Sequence, residues 1–174
     1  MAAIRMIALT GCRRSEILNL KWSEVDLANA CLRLGDTKTG ASIRPLPEAA
    51  QAILNRIERQ GEYVFPGVNR GDKSYASVFP NAWRRIVGTA YSPHGLRHAY
   101  ASAAHELGLG ELTIKALLGH ARLGVTSGYI MTVDSFLLGA AERIAQSISK
   151  AMTDGRARAL HISSRSQPRA GEGA

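Results

Sequence analysis

The sequence predicts a mainly α-helical α+β domain with a small three-stranded antiparallel sheet. Apolar residues recur at helical spacing over most of the 174-residue chain, whereas residues 31–46 alternate with the shorter period of strands. A chain of this length fits one domain, with or without a tail, better than two. We therefore expect one packed core in which helices dominate.

Three helices are predicted in the first third of the chain, at residues 2–9, 13–22 and 48–57. The pair Thr10-Gly11 separates the first two, and Pro47 opens the third because proline fits the first turn of a helix. Since no capping residue precedes the first helix, we expect the chain to begin part-way through it.

The predicted sheet consists of a hairpin and one further strand. Residues 31–34 and 42–46 have the pattern of paired strands, and the polar residues 36–40 form the loop between them. Pro45 places the second strand at a sheet edge or near a strand end, because proline donates no ladder hydrogen bond. The third strand is predicted at residues 63–66.

The C-terminal half is predicted to be helical except for its last residues. Helices are expected from about residue 74, with an interruption at Pro80, and then at residues 93–108, 111–118 and 135–152. Gly119 suits the left-handed position that ends a helix. Residues 153–174 lack periodicity and are rich in Arg, Ser and Gly, which predicts a disordered basic tail.

Composition restricts the possible function classes. Lysine and arginine total 22 against 14 acidic residues, which gives a net charge of +8. This charge favours a polyanionic partner, most simply nucleic acid. No apolar run reaches the roughly 20 residues that a membrane span requires, and two cysteines are too few for a disulfide framework or a Cys-rich zinc site. We expect a basic cytoplasmic domain without a membrane partner.

The residues suited to chemistry lie in separated segments: TGCRRSE at 10–16, HGLRH at 94–98, and LGH at 118–120 with Tyr129 after it. Lys38 lies in the hairpin loop. Arginine forks pair with the non-bridging oxygens of a phosphodiester and hold its charge while a nucleophile approaches. Tyrosine is a covalent nucleophile that needs help losing its proton. Histidine can provide that help, and lysine can protonate a leaving alkoxide.

These segments resemble the catalytic domain of the tyrosine recombinases, the phage-integrase family of site-specific DNA recombinases. Their motifs occur in the family's order over residues 2–150. The resemblance implies six catalytic residues: Arg13, Lys38, His94, Arg97, His120 and Tyr129. Glu16 matches the acidic residue that supports the site, and His98 is expected to brace its helix or to lie behind the catalytic groups.

The resemblance also implies a mechanism. Tyr129 attacks the scissile phosphate and forms a covalent 3′-phosphotyrosyl DNA intermediate, while Arg13 and Arg97 clamp the phosphate. Lys38 protonates the leaving 5′ oxygen, and the histidines assist. No metal and no cofactor are implied, because the phosphotyrosine conserves the bond energy for religation.

The implied partner is double-stranded DNA. Four copies of the protein are expected to assemble on recombining DNA, and the protein is expected to be a monomer when it is free of DNA. We expect a cytoplasmic protein, bacterial or phage-encoded, that is associated with the nucleoid when bound. Residues 1–152 are expected to be the catalytic domain, clipped at its N-terminus and without the family's core-binding domain. Residues 153–174 are the expected tail.

Contacts to the DNA backbone are expected first from Lys115 and Arg122, which flank the His120 motif. Other cations available for such contacts are Arg33, Arg44, Lys73, Arg84 and Arg85.

Each of these residues alone has a more ordinary explanation. Taken alone, Arg13 could be a solvated charge on a helix, and Tyr129 could be a half-buried packing residue. His94 and His98 have the i,i+4 spacing of some metal sites, but no Glu follows His94, and Arg97 would repel a cation. Only their joint order favours the catalytic interpretation.

Three rival functions stay open. A type IB topoisomerase resembles this chemistry but relaxes supercoils without choosing a site. A non-catalytic DNA-binding remnant of a prophage and, more distantly, a metal-dependent nuclease are the others. The ordered motif set favours the recombinase.

Overall fold

The computed structural model describes residues 1–35, 40–67, 75–119 and 134–153. The helices in these residues are α1 (Ala2–Thr10), α2 (Arg14–Leu18), α3 (Glu48–Leu54), α4 (Phe79–Ile86), α5 (Pro93–Glu106), α6 (Glu111–Leu117) and α7 (Ser135–Thr153). The strands are β1 (Val25–Asp26), β2 (Cys31–Leu34) and β3 (Ser42–Pro45). The predicted fold class, mainly helical with a small antiparallel sheet, is confirmed.

The sheet has the strand order β1-β2-β3, and both pairs are antiparallel. The predicted hairpin is present, but the prediction of a third strand at residues 63–66 is wrong. A tight turn, in which Asn29 donates its backbone N–H to the Asp26 carboxylate, returns the chain so that β1 pairs with β2 instead. Tyr63 forms only an isolated bridge with Lys21.

Helix α1 lies at the centre of the molecule and packs against α3, α5 and α7. Met6, Ile7 and Leu9 are almost fully buried, and most of the helix belongs to the core, whereas Arg5 is exposed. A helix with so wide an apolar surface packs against several neighbours. The burial of α1 therefore fixes the position of the residues that follow it, which line the candidate site.

A second cluster of buried residues joins α5, α6 and α7. Its largest members are Tyr100, Leu117, Leu118 and Ile144. Because α7 also packs on α1 and α3, one helix links both clusters. The start of α5 and the end of α6 are thereby held against the end of α1.

Three predictions about helix ends have different outcomes. Gly119 has φ +66°, which confirms the left-handed position after α6. The interruption expected at Pro80 is wrong, since this residue lies in the first turn of α4, where a missing N–H costs nothing. The helix predicted at 13–22 is shorter, because α2 ends at Leu18 and a separate 3₁₀ turn follows at Trp22–Glu24.

Two further points concern the chain as a whole. Among the helices that the structure describes, none is long and apolar enough to cross a bilayer. Helix α7 extends to Thr153, and the predicted tail beyond it lies outside the described residues.

Candidate active site

A cavity of about 410 Å³ brings together three of the predicted catalytic residues, Arg13, His94 and Arg97. The remaining residues of its lining are Cys12, Arg14, Ser15, Ser92 and Pro93. The cavity therefore lies where the junction of α1 and α2 meets the start of α5. Two motifs that are far apart in sequence form one pocket.

Glu16 fixes the position of Arg13 at the start of α2. One carboxylate oxygen accepts the backbone N–H of Arg13 and the other accepts Nη1 of its guanidinium, each at 2.7 Å. The first contact is that of an acidic residue in the first turn of a helix, which accepts a backbone donor left without a helical partner. The Glu16 side chain is only 4% exposed and that of Arg13 is 22% exposed. The expected supporting role of Glu16 has this geometric basis.

Arg97 joins the end of α1 to the end of α6. Its Nη1 donates to the carbonyl oxygen of Gly11 at 2.6 Å, and its Nη2 donates to that of Leu118 at 2.7 Å. Burial, followed by the charges of Arg13 and Arg44, lowers the pKa of Arg97 to about 10. The guanidinium therefore stays charged at neutral pH while it lines the cavity.

His94 lies in the first turn of α5, next to His98. The two rings meet edge to face, with centroids 4.5 Å apart and an interplanar angle of 85°. Burial, His98 and the charges of Arg97 and Arg13 lower the pKa of His94 below its ordinary value of 6.5. At neutral pH the imidazole is uncharged and is suited to accept a proton. His98 contacts the predicted catalytic histidine directly.

Two other nucleophile types near the cavity are unsuited to attack. Burial raises the pKa of the Cys12 thiol, although Arg44 acts in the opposite direction. Burial also raises the pKa of the Tyr100 hydroxyl, which lies in the core behind Gly11. A thiol or phenol that stays protonated is a weak nucleophile.

Arg44 occupies a different place from the one expected. As a possible DNA contact it would have to be exposed, but only 1% of its surface is accessible. Its Nη2 lies 3.2 Å from Oε1 of Glu16, and its Nη1 donates to the carbonyl oxygen of Leu117 at 3.4 Å. Strand alternation offers a signal for this placement, because Arg44 shares a face with Leu46, which is fully buried.

The charge of Arg44 affects Glu16. Burial alone would raise the pKa of the Glu16 carboxyl, but the charge of Arg44 and the hydrogen bonds from Arg13 outweigh it and lower the pKa. Glu16 is therefore ionised at neutral pH and bridges two arginines, one in the cavity and one beneath it.

The surface cations differ in their surroundings. Lys115 is exposed on α6 and forms an ion pair with Glu111 at 2.6 Å. Arg33 is paired with Asp26 at 2.9 Å. Arg84 and Arg85 are exposed in the last turn of α4.

Several predicted residues lie outside the described residues. They are Lys38, Lys73, His120, Arg122 and Tyr129. A second cavity of about 510 Å³ adjoins the first, since Arg13 and Ser15 line both, and it reaches Gly35, the last described residue before the hairpin loop. Among the side chains that are described, no three of His, Cys, Asp or Glu lie close enough to hold a metal ion.

The mainly helical architecture, the small sheet and the cationic cavity define the class of protein: the fold is that of a tyrosine recombinase catalytic domain. The family model described as "Phage integrase family" matches residues 1–135, and the chain belongs to that family. The resemblance drawn from the motifs is thus confirmed.

The named relatives agree with this classification. The chain is 31% identical over 145 residues to tyrosine recombinase XerA of Pyrococcus furiosus, which covers 77% of this chain and 50% of the relative. Tyrosine recombinase XerD of Pseudomonas aeruginosa is 28% identical over 144 residues, which covers 72% of this chain and 47% of the relative.

Among solved structures, the integrase from mycobacterium phage Brujita matches with a TM-score of 0.64 and 27% identity. This match covers 82% of this chain and 50% of that one. The chain thus spans about half the length of these relatives.

Proposed function

We propose that the chain is the catalytic domain of a site-specific DNA recombinase, or integrase, which cleaves and rejoins strands through a covalent 3′-phosphotyrosyl intermediate. The observation that carries the proposal is the convergence of Arg13, His94 and Arg97 on one cavity. Two guanidinium groups match the charge and geometry of a phosphodiester, and an uncharged imidazole beside them can move a proton. The recombinase names of the relatives support the same conclusion.

The proposed cleavage step is a transesterification. The hydroxyl oxygen of Tyr129 bonds to phosphorus, His94 accepts the phenolic proton, and the bond from phosphorus to the 5′ oxygen breaks. Lys38 gives the leaving 5′ oxygen a proton. Arg13 and Arg97 hold the non-bridging oxygens throughout, so that the charge of the transition state is stabilised.

Religation follows from the same chemistry in reverse. A 5′ hydroxyl attacks the phosphotyrosine and releases the tyrosine, with His120 assisting on the phosphate. Because the covalent bond conserves the energy of the phosphodiester, no high-energy cofactor is required. The charge that a metal ion would supply comes from the arginines, so the reaction is metal-independent.

The proposed substrate is double-stranded DNA, bound by a tetramer during recombination and by a monomer beforehand. Lys115 and Arg122 contact the phosphate backbone. The protein acts in the cytoplasm, on the nucleoid. Its net charge of +8 supports a polyanionic substrate.

The test is covalent trapping on DNA of unspecified sequence. A random pool of nicked duplexes is incubated with the protein. The DNA that stays covalently attached to the protein after denaturation is amplified and sequenced. We expect wild type to enrich a defined sequence, Tyr129→Phe to trap nothing, and Tyr75→Phe to trap as wild type does. An absence of adducts from wild type, or equal trapping by Tyr129→Phe, would overturn the proposal.

Two controls separate the rival functions. Trapping that persists in EDTA supports the metal-independent reaction, whereas its loss indicates a metal-dependent nuclease. A plasmid without the enriched sequence should stay supercoiled, whereas its relaxation would indicate a topoisomerase.

A further inference from the structure

We propose that Arg44 is a positioning residue for the cleavage reaction, which holds Glu16, and through it Arg13, in register with the end of α6. The inference rests on the proposed recombinase function. It concerns a residue that is 1% exposed and does not line the cavity.

The contacts of Arg44 reach two separate parts of the site. On one side, its Nη2 lies 3.2 Å from Oε1 of Glu16, the same oxygen that accepts Nη1 of Arg13 at 2.7 Å. On the other side, its Nη1 donates to the carbonyl oxygen of Leu117. One guanidinium on β3 therefore joins α2 to α6.

The end of α6 is shaped around this guanidinium. A Cβ atom on Gly119 would overlap the guanidinium of Arg44, and the φ of +66° there also favours glycine, so the backbone at Gly119 packs directly on Arg44. Arg97 donates to the next carbonyl along, that of Leu118. Two buried arginines therefore hold the consecutive carbonyls of Leu117 and Leu118, which come just before Gly119 and His120 in the sequence.

Stability alone gives little reason for an arginine at this position. The Nε atom of Arg44 is buried, and no acceptor for it is present among the described residues. Replacing both members of a buried ion pair by apolar side chains of similar volume is often neutral or stabilising, so such a pair is weak evidence for a role in stability alone. What an apolar residue cannot supply is a two-sided hydrogen-bonding link between Glu16 and Leu117.

The experiment uses the duplex enriched by covalent trapping. Single-turnover cleavage is measured at saturating DNA for wild type, Arg44→Met and Arg44→Lys, with the Kd for the same duplex and the thermal midpoint of each variant. Arg56→Met is the matched control, since Arg56 is exposed and outside the site. If Arg44→Met does not fold, Arg44→Lys, which keeps the charge, gives the rate.

We expect Arg44→Met to cleave about 10- to 100-fold more slowly while its Kd changes by less than about threefold, because the substrate is bound but misaligned. Arg44→Lys should recover part of the rate. A purely structural role would lower the fraction of active protein and leave the rate of the folded fraction unchanged.

A double-mutant cycle tests whether Arg44 acts through Glu16. If it does, Arg44→Met combined with Glu16→Gln is no more than about threefold slower than Glu16→Gln alone, because coupled residues are not additive. If wild type cleaves and Arg44→Met cleaves at the same rate, the positioning role is overturned. It is also overturned if the effects of Arg44→Met and Glu16→Gln on the rate are fully additive. No covalent adduct from wild type would instead overturn the proposed function itself.

Discussion

Arg97 donates Nη1 to the carbonyl oxygen of Gly11 at 2.6 Å, and the two residues meet at this distance because residue 11 is glycine. Gly11 has φ +62°, and a Cβ atom there would lie 2.7 Å from Cδ1 of Tyr100. Tyr100 and Arg97 both belong to α5, so the same close approach of α1 to α5 sets the ring contact and the hydrogen bond. The candidate site therefore depends on a contact in the core.

Gly11→Ala should destabilise the protein by about 2–5 kcal/mol. The left-handed backbone costs about 1–2 kcal/mol for a residue with a side chain, and displacing a buried ring adds about 1–3 kcal/mol. Urea unfolding at pH 7 measures the difference. The matched control is Gly61→Ala, at φ +79° with open space around it, which should cost only the about 1–2 kcal/mol of the left-handed backbone. Equal losses in both variants would contradict the role given to the Tyr100 contact.

Glu16→Gln should lower stability at neutral pH and flatten its dependence on acid. The folded pKa of Glu16 is below its ordinary 4.5, so its ionised form stabilises the fold above that value, and the contribution is lost as pH falls through the folded pKa. We expect a loss of about 2 kcal/mol at pH 7 that shrinks as the pH falls below 4.5 and through the lowered folded pKa. Unfolding midpoints from pH 7 to pH 3 check this.

The control for Glu16 is Glu106→Gln, an exposed carboxylate at the end of α5. It should change stability by less than about 0.5 kcal/mol at any pH. A Glu16→Gln variant with the same acid dependence as wild type would show that the two arginines do not depend on this carboxylate.

Local patterns explain which parts of the fold were predictable. The hairpin and the left-handed Gly119 follow from strand alternation and helix-end chemistry, which depend on neighbouring residues. The prediction of a strand at residues 63–66 failed, because the backbone N–H of Trp22 donates to Glu62 and that of Val64 donates to Leu20, which forms an isolated bridge and no strand. Such pairing depends on long-range packing that a local pattern does not contain.

The candidate site divides in the same way. Arg13, His94 and Arg97 were predictable as a group because two motifs with a shared chemistry occur in a known order. The role of Arg44 was not predictable, because a single cation in a strand belongs to no recognisable motif. Its partner Glu16 lies in another element, so no local pattern connects the two. Only the buried Leu46 two residues later indicated its face.

The cleavage rate should rise with pH along a limb whose midpoint lies below 6.5. The pKa of His94 is lowered by burial, His98 and two arginines, and the proposed base is active only when uncharged. The His94→Gln variant should cleave about 10²–10⁴-fold more slowly, and its rate should no longer rise with pH along this limb. Single-turnover cleavage from pH 5 to pH 8 measures it, and a midpoint above 6.5 would contradict the assignment of His94 as the base.

Lys115→Gln should weaken DNA binding and reduce its salt dependence. If Lys115 neutralises one phosphate, the slope of log K against log salt falls by about 0.9. Titrations between 50 and 200 mM salt, with wild type expected to bind weakly and salt-sensitively, give the slope. Glu111→Gln is the informative control, because it frees Lys115 from its ion pair and should bind no more weakly than wild type. Unchanged slopes in Lys115→Gln would place this lysine outside the interface.

The Arg97→Lys variant should separate the effect of the positive charge on cleavage from the effect of the guanidinium geometry. A lysine keeps the positive charge, but its single amine cannot reach the carbonyls of both Gly11 and Leu118, which then lose a buried donor. We expect a stability loss of about 2 kcal/mol and a cleavage rate lower by about 100-fold or more, since an arginine fork is replaced at the phosphate. Arg56→Lys controls for the substitution itself. Measured below the thermal midpoints of both variants, a rate within about threefold of wild type would mean that Arg97 braces the fold without holding the phosphate.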